Sequence, residues 1–297
     1  MKPDRILVLA GPTAAGKTAA GIAIAQKSNA IIISADSRQV YRYMDIGTAK
    51  PSAQERAQVA HHLIDFLDPS QPYSAANYAV DARRVMDDLD TQGKKYIVVG
   101  GSGLYLRALI DGLASIPSAD ETIRSELAAF VAQHGKDALH RRLAEVDPCT
   151  AARLKPNDAV RISRALEVYQ LTGKPISQWH QSERIRDHRT YRLVVLDMDR
   201  EALYARINRR ADEMLHAGLI GEVRGILAQG YAASLNALRT VGYREVIAHI
   251  NGECDVSRMT ELIKQNTRNF AKRQLTWFRG MKDAEWAGAE DIPSLME

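Results

Sequence analysis

The chain has 297 residues, of which 45% are hydrophobic and 26% charged, the make-up of a soluble globular protein with room for a large domain or for a core and a smaller lobe. No apolar run approaches bilayer length, and two cysteines, Cys149 and Cys254, far apart and outside any CxxC, exclude a disulfide framework or a zinc knuckle and place the chain in a reducing cytoplasm. The net charge is only +4 although the pI is near 9.0, so any polyanionic partner must be met by local clusters of charge.

Ile6 to Ala10 is a continuous apolar run, the pattern of a buried parallel strand. Gly11-Pro12-Thr13-Ala14-Ala15-Gly16-Lys17-Thr18 follows and satisfies G-x-x-x-x-G-K-[ST] at every fixed position, with a helix expected from Lys17 to Lys27. In such a loop the glycines let backbone amides turn inward, and the helix N-terminus adds partial positive charge. Lys17 brings a full charge to phosphate oxygens, and Thr18 offers a hydroxyl to Mg²⁺. The loop alone does not say whose phosphates it holds.

Ala30 to Ser34 is a second strand. Asp36 closes it, so its carboxylate falls at the same sheet edge as the phosphate loop. There it can hold Mg²⁺ through water, take a proton from a nucleophile, or only cap the following turn, with Ser37 and Gln39 beside it. Tyr96 to Val99 is a third strand. It ends in Gly100-Gly101-Ser102-Gly103, a second tight turn that sets the Ser102 hydroxyl at the same edge.

From about Ser115 to Arg189 the pattern changes: Glu121–His134, Lys136–Ala144 and Asp158–Leu171 read as amphipathic helices, and no strand-like run is evident. A fourth strand, Arg192–Asp197, resumes the core, and helices follow over Ala202–Met214, Gly221–Ala228 and Arg258–Phe278. Strands alternating with helices predict an α/β fold: a P-loop NTPase-like parallel sheet with helices on both faces. Residues 1–115 and 190–297 form its catalytic core, and 116–189 form a helical insertion domain. Between Lys264 and Lys282 there are six basic residues and no acid. Lys264, Arg268 and Lys272 recur every four residues, a single helical stripe able to track phosphates; a plain solvated face is the alternative.

Two enzyme classes fit these residues, with a pure nucleotide switch or RNA-binding module as a third, lesser reading. One is a small-molecule kinase with Asp36 as base or metal anchor. The other is a transferase whose loop holds a pyrophosphate leaving group and whose acceptor is a nucleic acid. The absence of a second strand ending in paired acids, and the basic C-terminal helix, favour the second.

The chain resembles the tRNA dimethylallyltransferases (tRNA isopentenyltransferases) in six blocks, which fall in that family's order and span nearly all of it. They are GPTAAGKT at Gly11–Thr18, DSRQVYRYMDIGTAKP at Asp36–Pro51, VGGSGLY at Val99–Tyr105, NDAVRISRALEV at Asn157–Val168, RTVGYR at Arg239–Arg244 and KRQLTWFR at Lys272–Arg279. The resemblance implies transfer of a dimethylallyl group from dimethylallyl diphosphate to N6 of the adenosine next to the anticodon of tRNA, by a cytoplasmic, monomeric enzyme. It implies that the loop residues Gly11, Pro12, Thr13, Ala14, Ala15, Gly16, Lys17 and Thr18 hold the diphosphate, with Mg²⁺ on Thr18. Asp36 would be the general base, and Lys17, Arg210 and Ser102 would complete the catalytic set. The tRNA contacts implied are Asp36, Ser37, Arg38, Gln39 and Ser102 near the flipped nucleotide. Arg124, Val160, Arg161, Ile162, Ser163 and Arg164 would grip the anticodon stem-loop from the insertion, and Arg239, Arg244, Lys272 and Arg273 would add further contacts. Two departures stand out. Ser102 replaces the family's usual Thr and keeps the hydroxyl. Ala159-Val160 replaces a frequent Pro-Gln and removes a glutamine contact.

Overall fold

The computed structural model describes residues 5–181, 184–288, 291–292 and 295. Chain order begins with β1 (Ile6–Ala10), α1 (Lys17–Ser28), β2 (Ala30–Ser34), α2 (Ala53–Gln58), β3 (His61–His62), α3 (Ala75–Thr91), β4 (Lys95–Gly100) and α4 (Gly103–Ile110). Next come β5 (Leu113–Ala114), α5 (Glu121–Val146), α6 (Pro148–Ala151), α7 (Ala159–Thr172), α8 (Ile176–Trp179) and β6 (Arg184–Ile185). The chain continues with β7 (Tyr191–Leu196), α9 (Arg200–His216), α10 (Leu219–Ala228), α11 (Tyr243–Ile250), α12 (Val256–Arg279) and β8 (Glu285–Ala287).

These elements form two compact units: the residues up to Ile110 together with those from Asp187 on, and Asp111–Arg186. In the first, a six-stranded, wholly parallel sheet runs in the order β3-β2-β4-β1-β7-β8. β1 lies between β4 and β7, with Val8 opposite both Val98 and Leu193. Val8, Leu9 and Ala10 are fully buried, as a strand covered on both faces requires. The phosphate loop therefore leaves the middle of the sheet. A second apolar cluster joins Val40, Tyr41 and Met44 to α10, α11 and the start of α12 through Val223, Tyr243, Met259 and Ile263. The edge strands β3 and β8 and the helices α2 and α3 have no counterpart in the sequence-based elements. The two strands are only two and three residues long, too short for a period to show. The helix starts are encoded by capping boxes, Ser52 with Glu55 and Ser74 with Asn77.

The insertion starts at Asp111 and ends at Arg186, against the expected 116 and 189. At its start the reason is an antiparallel ribbon in which Leu113 pairs with Ile185 and Ala114 with Arg184, both strands inside this unit. At its end Arg189 is bound into the core, bridging Asp187 to Asp87 and Asp90 at the end of α3. The buried Asp187 carboxylate also accepts a hydrogen bond from Tyr191. Within the insertion the two expected helices over 121–144 are one element broken at Gly135, whose φ of 80° and ψ of 170° are not helical. Leu127, Leu139 and Leu143 of α5 pack on Ile162, Ala165, Leu166 and Val168 of α7.

A buried carboxylate holds this helical unit together. Glu167 on α7 is fully buried; it accepts from the Asp120 amide (2.7 Å), from Arg124 Nε (3.0 Å) and from an Arg164 nitrogen (2.8 Å). Arg164 also donates to the Pro117 carbonyl. Glu167→Ala removes all three acceptor contacts while both arginines can turn toward water, so we expect a loss of about 1–3 kcal/mol. Urea unfolding followed by circular dichroism measures it, and an unchanged midpoint would show the carboxylate to be dispensable.

Candidate active site

The turn between β1 and α1 is built to face an anion. Ala14 and Gly16 take left-handed backbone, with φ of 65° and 96°. The amides of Gly16, Lys17 and Thr18 open the first turn of α1, where a helix has no carbonyls of its own to offer them. Lys17 Nζ donates to the Pro12 carbonyl at 2.7 Å, so the ammonium already lies over the loop. Desolvation lowers its pKa to about 8; Asp36 opposes that shift and Arg210 adds to it. Arg210 is itself pushed down by burial and drawn back by Asp36. Lys17, Asp36 and Arg210 therefore share one electrostatic site.

Arg206 belongs to the same site and was not among the expected residues. A Cβ on Gly16 would sit 3.4 Å from its guanidinium, and its charge lowers the pKa of Arg210. The signal in the sequence is its spacing: four residues before Arg210, it lies on the same face of α9.

Asp36 follows β2. One carboxylate oxygen, Oδ1, accepts from the amides of Arg38 (2.8 Å) and Gln39 (3.3 Å). This is the capping role, and it orients the group while leaving Oδ2 for chemistry. Ser102 supports the same turn: its Oγ accepts from the Ser37 amide at 2.8 Å and donates to Ser37 Oγ at 3.2 Å, and its own amide donates to the Ala35 carbonyl. Arg38 Nη1 donates to the Asn236 carbonyl, and Gln39 Nε2 donates to the carbonyls of Thr48 and Ala49. Both side chains thus brace the loop in which they lie.

The remainder of that loop is latched by two charged groups, one half-buried and one buried. Glu222 on α10 accepts from the amides of Asp45, Ile46 and Gly47 and from the Tyr243 hydroxyl. Burial and the Glu222 carboxylate push the Tyr243 hydroxyl far up, so it stays a neutral donor. A Cβ at Gly47 would come within 2.4 Å of the Tyr243 ring, so only glycine fits there. Lys50, almost wholly buried, donates to the Tyr41 carbonyl and to Asp45 and Asp65.

The expected RNA contacts divide. Val160 is 83% exposed, and Arg161 is exposed and paired with Asp158, the residue that caps its helix. Ser163 is half-buried. Ile162 is fully buried in the insertion's core, so its side chain offers nothing to RNA, a correction to the expectation. Arg124 and Arg164 are tied to Glu167. In the core, Arg239, Arg244, Lys272 and Arg273 are exposed, with Arg244 paired to Glu245. The Lys264–Arg268–Lys272 stripe is not an open phosphate track. Lys264 pairs with Asp212 at 2.6 Å, and Arg268 binds Asn208 and lies over Tyr204, so much of the stripe is a seam between α12 and α9.

Among the described residues no three His, Cys, Asp or Glu side chains cluster as a metal cage. The Thr18 hydroxyl, in the first turn of α1, suits a Mg²⁺ ion that takes most of its ligands from phosphate and water.

A sequence model of the IPP transferase family matches residues 39–281. Curated relatives named tRNA dimethylallyltransferase include one from Geobacter metallireducens, 49% identical over 95% of this chain and 92% of its own. Another, from Thermotoga petrophila, is 45% identical over 99% and 96%. The fold is similar to the solved tRNA isopentenylpyrophosphate transferase of Bacillus halodurans (TM-score 0.70, 38% identity, 98% of this chain and 94% of that one). It is also similar to a eukaryotic dimethylallyltransferase described as acting on tRNA (TM-score 0.79, 28% identity, 98% and 75%).

An ammonium with a pKa of about 8 makes anion binding pH-sensitive. A bound anion raises that pKa, so affinity is greatest below 8 and falls as pH rises through the free-state value, by up to about tenfold per unit. Calorimetry with inorganic pyrophosphate should show this fall for the wild type. Lys17→Arg, which stays charged, should lack it, and identical profiles would place the titration elsewhere.

Proposed function

This chain belongs to the IPP transferase family, and we propose that it moves the dimethylallyl group of dimethylallyl diphosphate to N6 of the adenosine next to the anticodon, position 37, in tRNA, releasing pyrophosphate. The observation that carries the residue assignment is the meeting of a carboxylate with an oriented, free oxygen, Asp36, and the cations Lys17 and Arg210 in one electrostatic site. A kinase would use the same loop, but relatives that match over almost the full chain are tRNA prenyl transferases.

The diphosphate lies on the amides at the start of α1, with Lys17, Arg206 and Arg210 around it. The adenine amine attacks C1 of the prenyl group. The C1–O bond breaks, and its electron pair leaves on the pyrophosphate oxygen. Charge grows on that oxygen as the bond lengthens, and fixed amides and cations oppose it where it forms. The N6 proton goes to Asp36 Oδ2, while the bonds from the Arg38 and Gln39 amides to Oδ1 keep the carboxylate in place. Thr18 would hold a Mg²⁺ ion, whose charge would add to the neutralisation of the leaving group.

The target base must leave its stack to reach this edge, and an unpaired anticodon loop makes that step less costly than a duplex would. Ser37, Arg38, Gln39, Arg239, Arg244, Lys272 and Arg273 contribute contacts from the core, and Val160, Arg161 and Ser163 from the insertion. No helix among the described residues is long and apolar enough to cross a membrane, and the reading is completed by a cytoplasmic monomer.

The test is to incubate protein, Mg²⁺ and unmodified tRNA with dimethylallyl diphosphate or with ATP, and to weigh the RNA. A mass gain of one prenyl group without ATP is expected; ATP-dependent phosphorylation of a small molecule with no gain on tRNA would support the kinase instead. Asp36→Asn should lower single-turnover rate by roughly 10²–10⁴-fold with tRNA binding little changed. A near-normal rate would reduce Asp36 to its capping role.

A further inference from the structure

The side chain of Gln274 on α12 is buried and spans two loops of the site. Its Oε1 accepts from the Thr13 amide of the phosphate loop at 2.8 Å, and its Nε2 donates to the Gly101 carbonyl at 2.8 Å. Reversing the amide would set two donors and two acceptors face to face, so its orientation is determined. The space is filled: a Cβ on Gly101 would lie 2.7 Å from Gln274 Nε2 and 3.4 Å from Lys17 Nζ.

Gly101 leads into the turn that supports the proposed base. A Cβ on Gly100 would come within 2.1 Å of the Ala35 carbonyl, so that turn lies directly on the chain entering Asp36, and Ser102 then holds Ser37. Behind Gln274, α12 is fixed by Phe278, which is fully buried, and by Trp277, whose ring is 2.2 Å from where a Gly103 Cβ would be.

We propose that Gln274 is a positioning residue that sets the separation between the diphosphate-holding loop and the turn carrying Asp36. This rests on the prenyl-transfer reading. In that reaction the leaving oxygen and the incoming nitrogen lie on opposite sides of one carbon, so the leaving-group cradle and the base must stand a fixed distance apart. A misplacement of about 1 Å costs roughly 10²-fold in rate. Gln274 has no titratable group and both of its polar ends are occupied within the protein, so it acts through Thr13 and Gly101 and not on substrate. The Thr13 amide is taken by Gln274, and the diphosphate is held by the amides of Gly16, Lys17 and Thr18 at the start of α1.

Two variants test this. Gln274→Met keeps the volume and removes both bonds. Gln274→Glu keeps the acceptor for Thr13, turns an oxygen toward the Gly101 carbonyl, and brings a carboxylate near Lys17. For Met we expect a single-turnover prenylation rate down by about 10²-fold, with tRNA and pyrophosphate affinities within about threefold of wild type. For Glu we expect a slower rate, together with pyrophosphate binding weaker than in Gln274→Met, since a carboxylate beside the loop repels the anion. Folded variants with wild-type rates, and with wild-type pyrophosphate affinity in Gln274→Glu, overturn the proposal. If Gln274→Met does not fold, Gln274→Glu alone decides by the same rate and affinity readouts. If the wild type fails to prenylate tRNA while pyrophosphate binding still weakens in Gln274→Glu, the functional reading falls and the placement of Gln274 beside the loop stands.

Discussion

A phosphate-holding loop is a set of backbone amides kept pointing outward with no partner inside the protein, and everything around this site answers to that requirement. Free amides in a tight turn would collapse onto nearby carbonyls unless the turn is held from behind. Here the loop leaves the central strand of a parallel sheet, α1 grips its far end, and Gln274 holds its middle at Thr13. Arg206 and Arg210, one helical turn apart on α9, supply charge to the same face, and α9 is seamed to α12 through Asp212–Lys264 and Asn208–Arg268. The basic stripe of α12 thus helps to fix the helix that carries the site's cations.

The long loop after β2 follows the same logic on the base side. Asp36 can be a base only if its carboxylate does not wander, and its own turn amides, Ser37 and Ser102 prevent that. Farther along, three consecutive amides converge on Glu222, and Lys50 is buried between two carboxylates and a carbonyl. Burying a charge such as that of Lys50 is costly unless it is fully partnered, and its three acceptors meet that need. Several polar residues of that stretch therefore face inward as fasteners. The exposed surface left for RNA is smaller than their number suggests.

The parallel sheet, the phosphate loop, Asp36 and the helical insertion were legible from the sequence because each is a local pattern: a run of apolar residues, a fixed glycine spacing, a change of period. What was not legible depends on what a face meets. The four-residue spacing of Lys264, Arg268 and Lys272 gives a stripe, but not that the stripe meets Asp212 and Asn208. The block holding Ile162 reads as one RNA-facing segment, yet helical geometry turns Ile162 into the core while Val160 and Arg161 face out. Gln274 lies 261 residues from Thr13, and no spacing rule reaches that far. Arg206 was within reach through its offset from Arg210.

The bond from Lys17 to the Pro12 carbonyl bears on the end of the catalytic cycle. A cation with no internal acceptor would hold its anion with the full strength of an otherwise unmet charge, and a highly charged product would dissociate slowly. Here the ammonium has a carbonyl of its own loop to return to, so letting go of the product is an exchange of one acceptor for another. The same exchange lowers the gain on arrival, which moderates affinity for donor and product alike. The Pro12 carbonyl thus tempers the pull of the Lys17 charge on any anion that the loop takes.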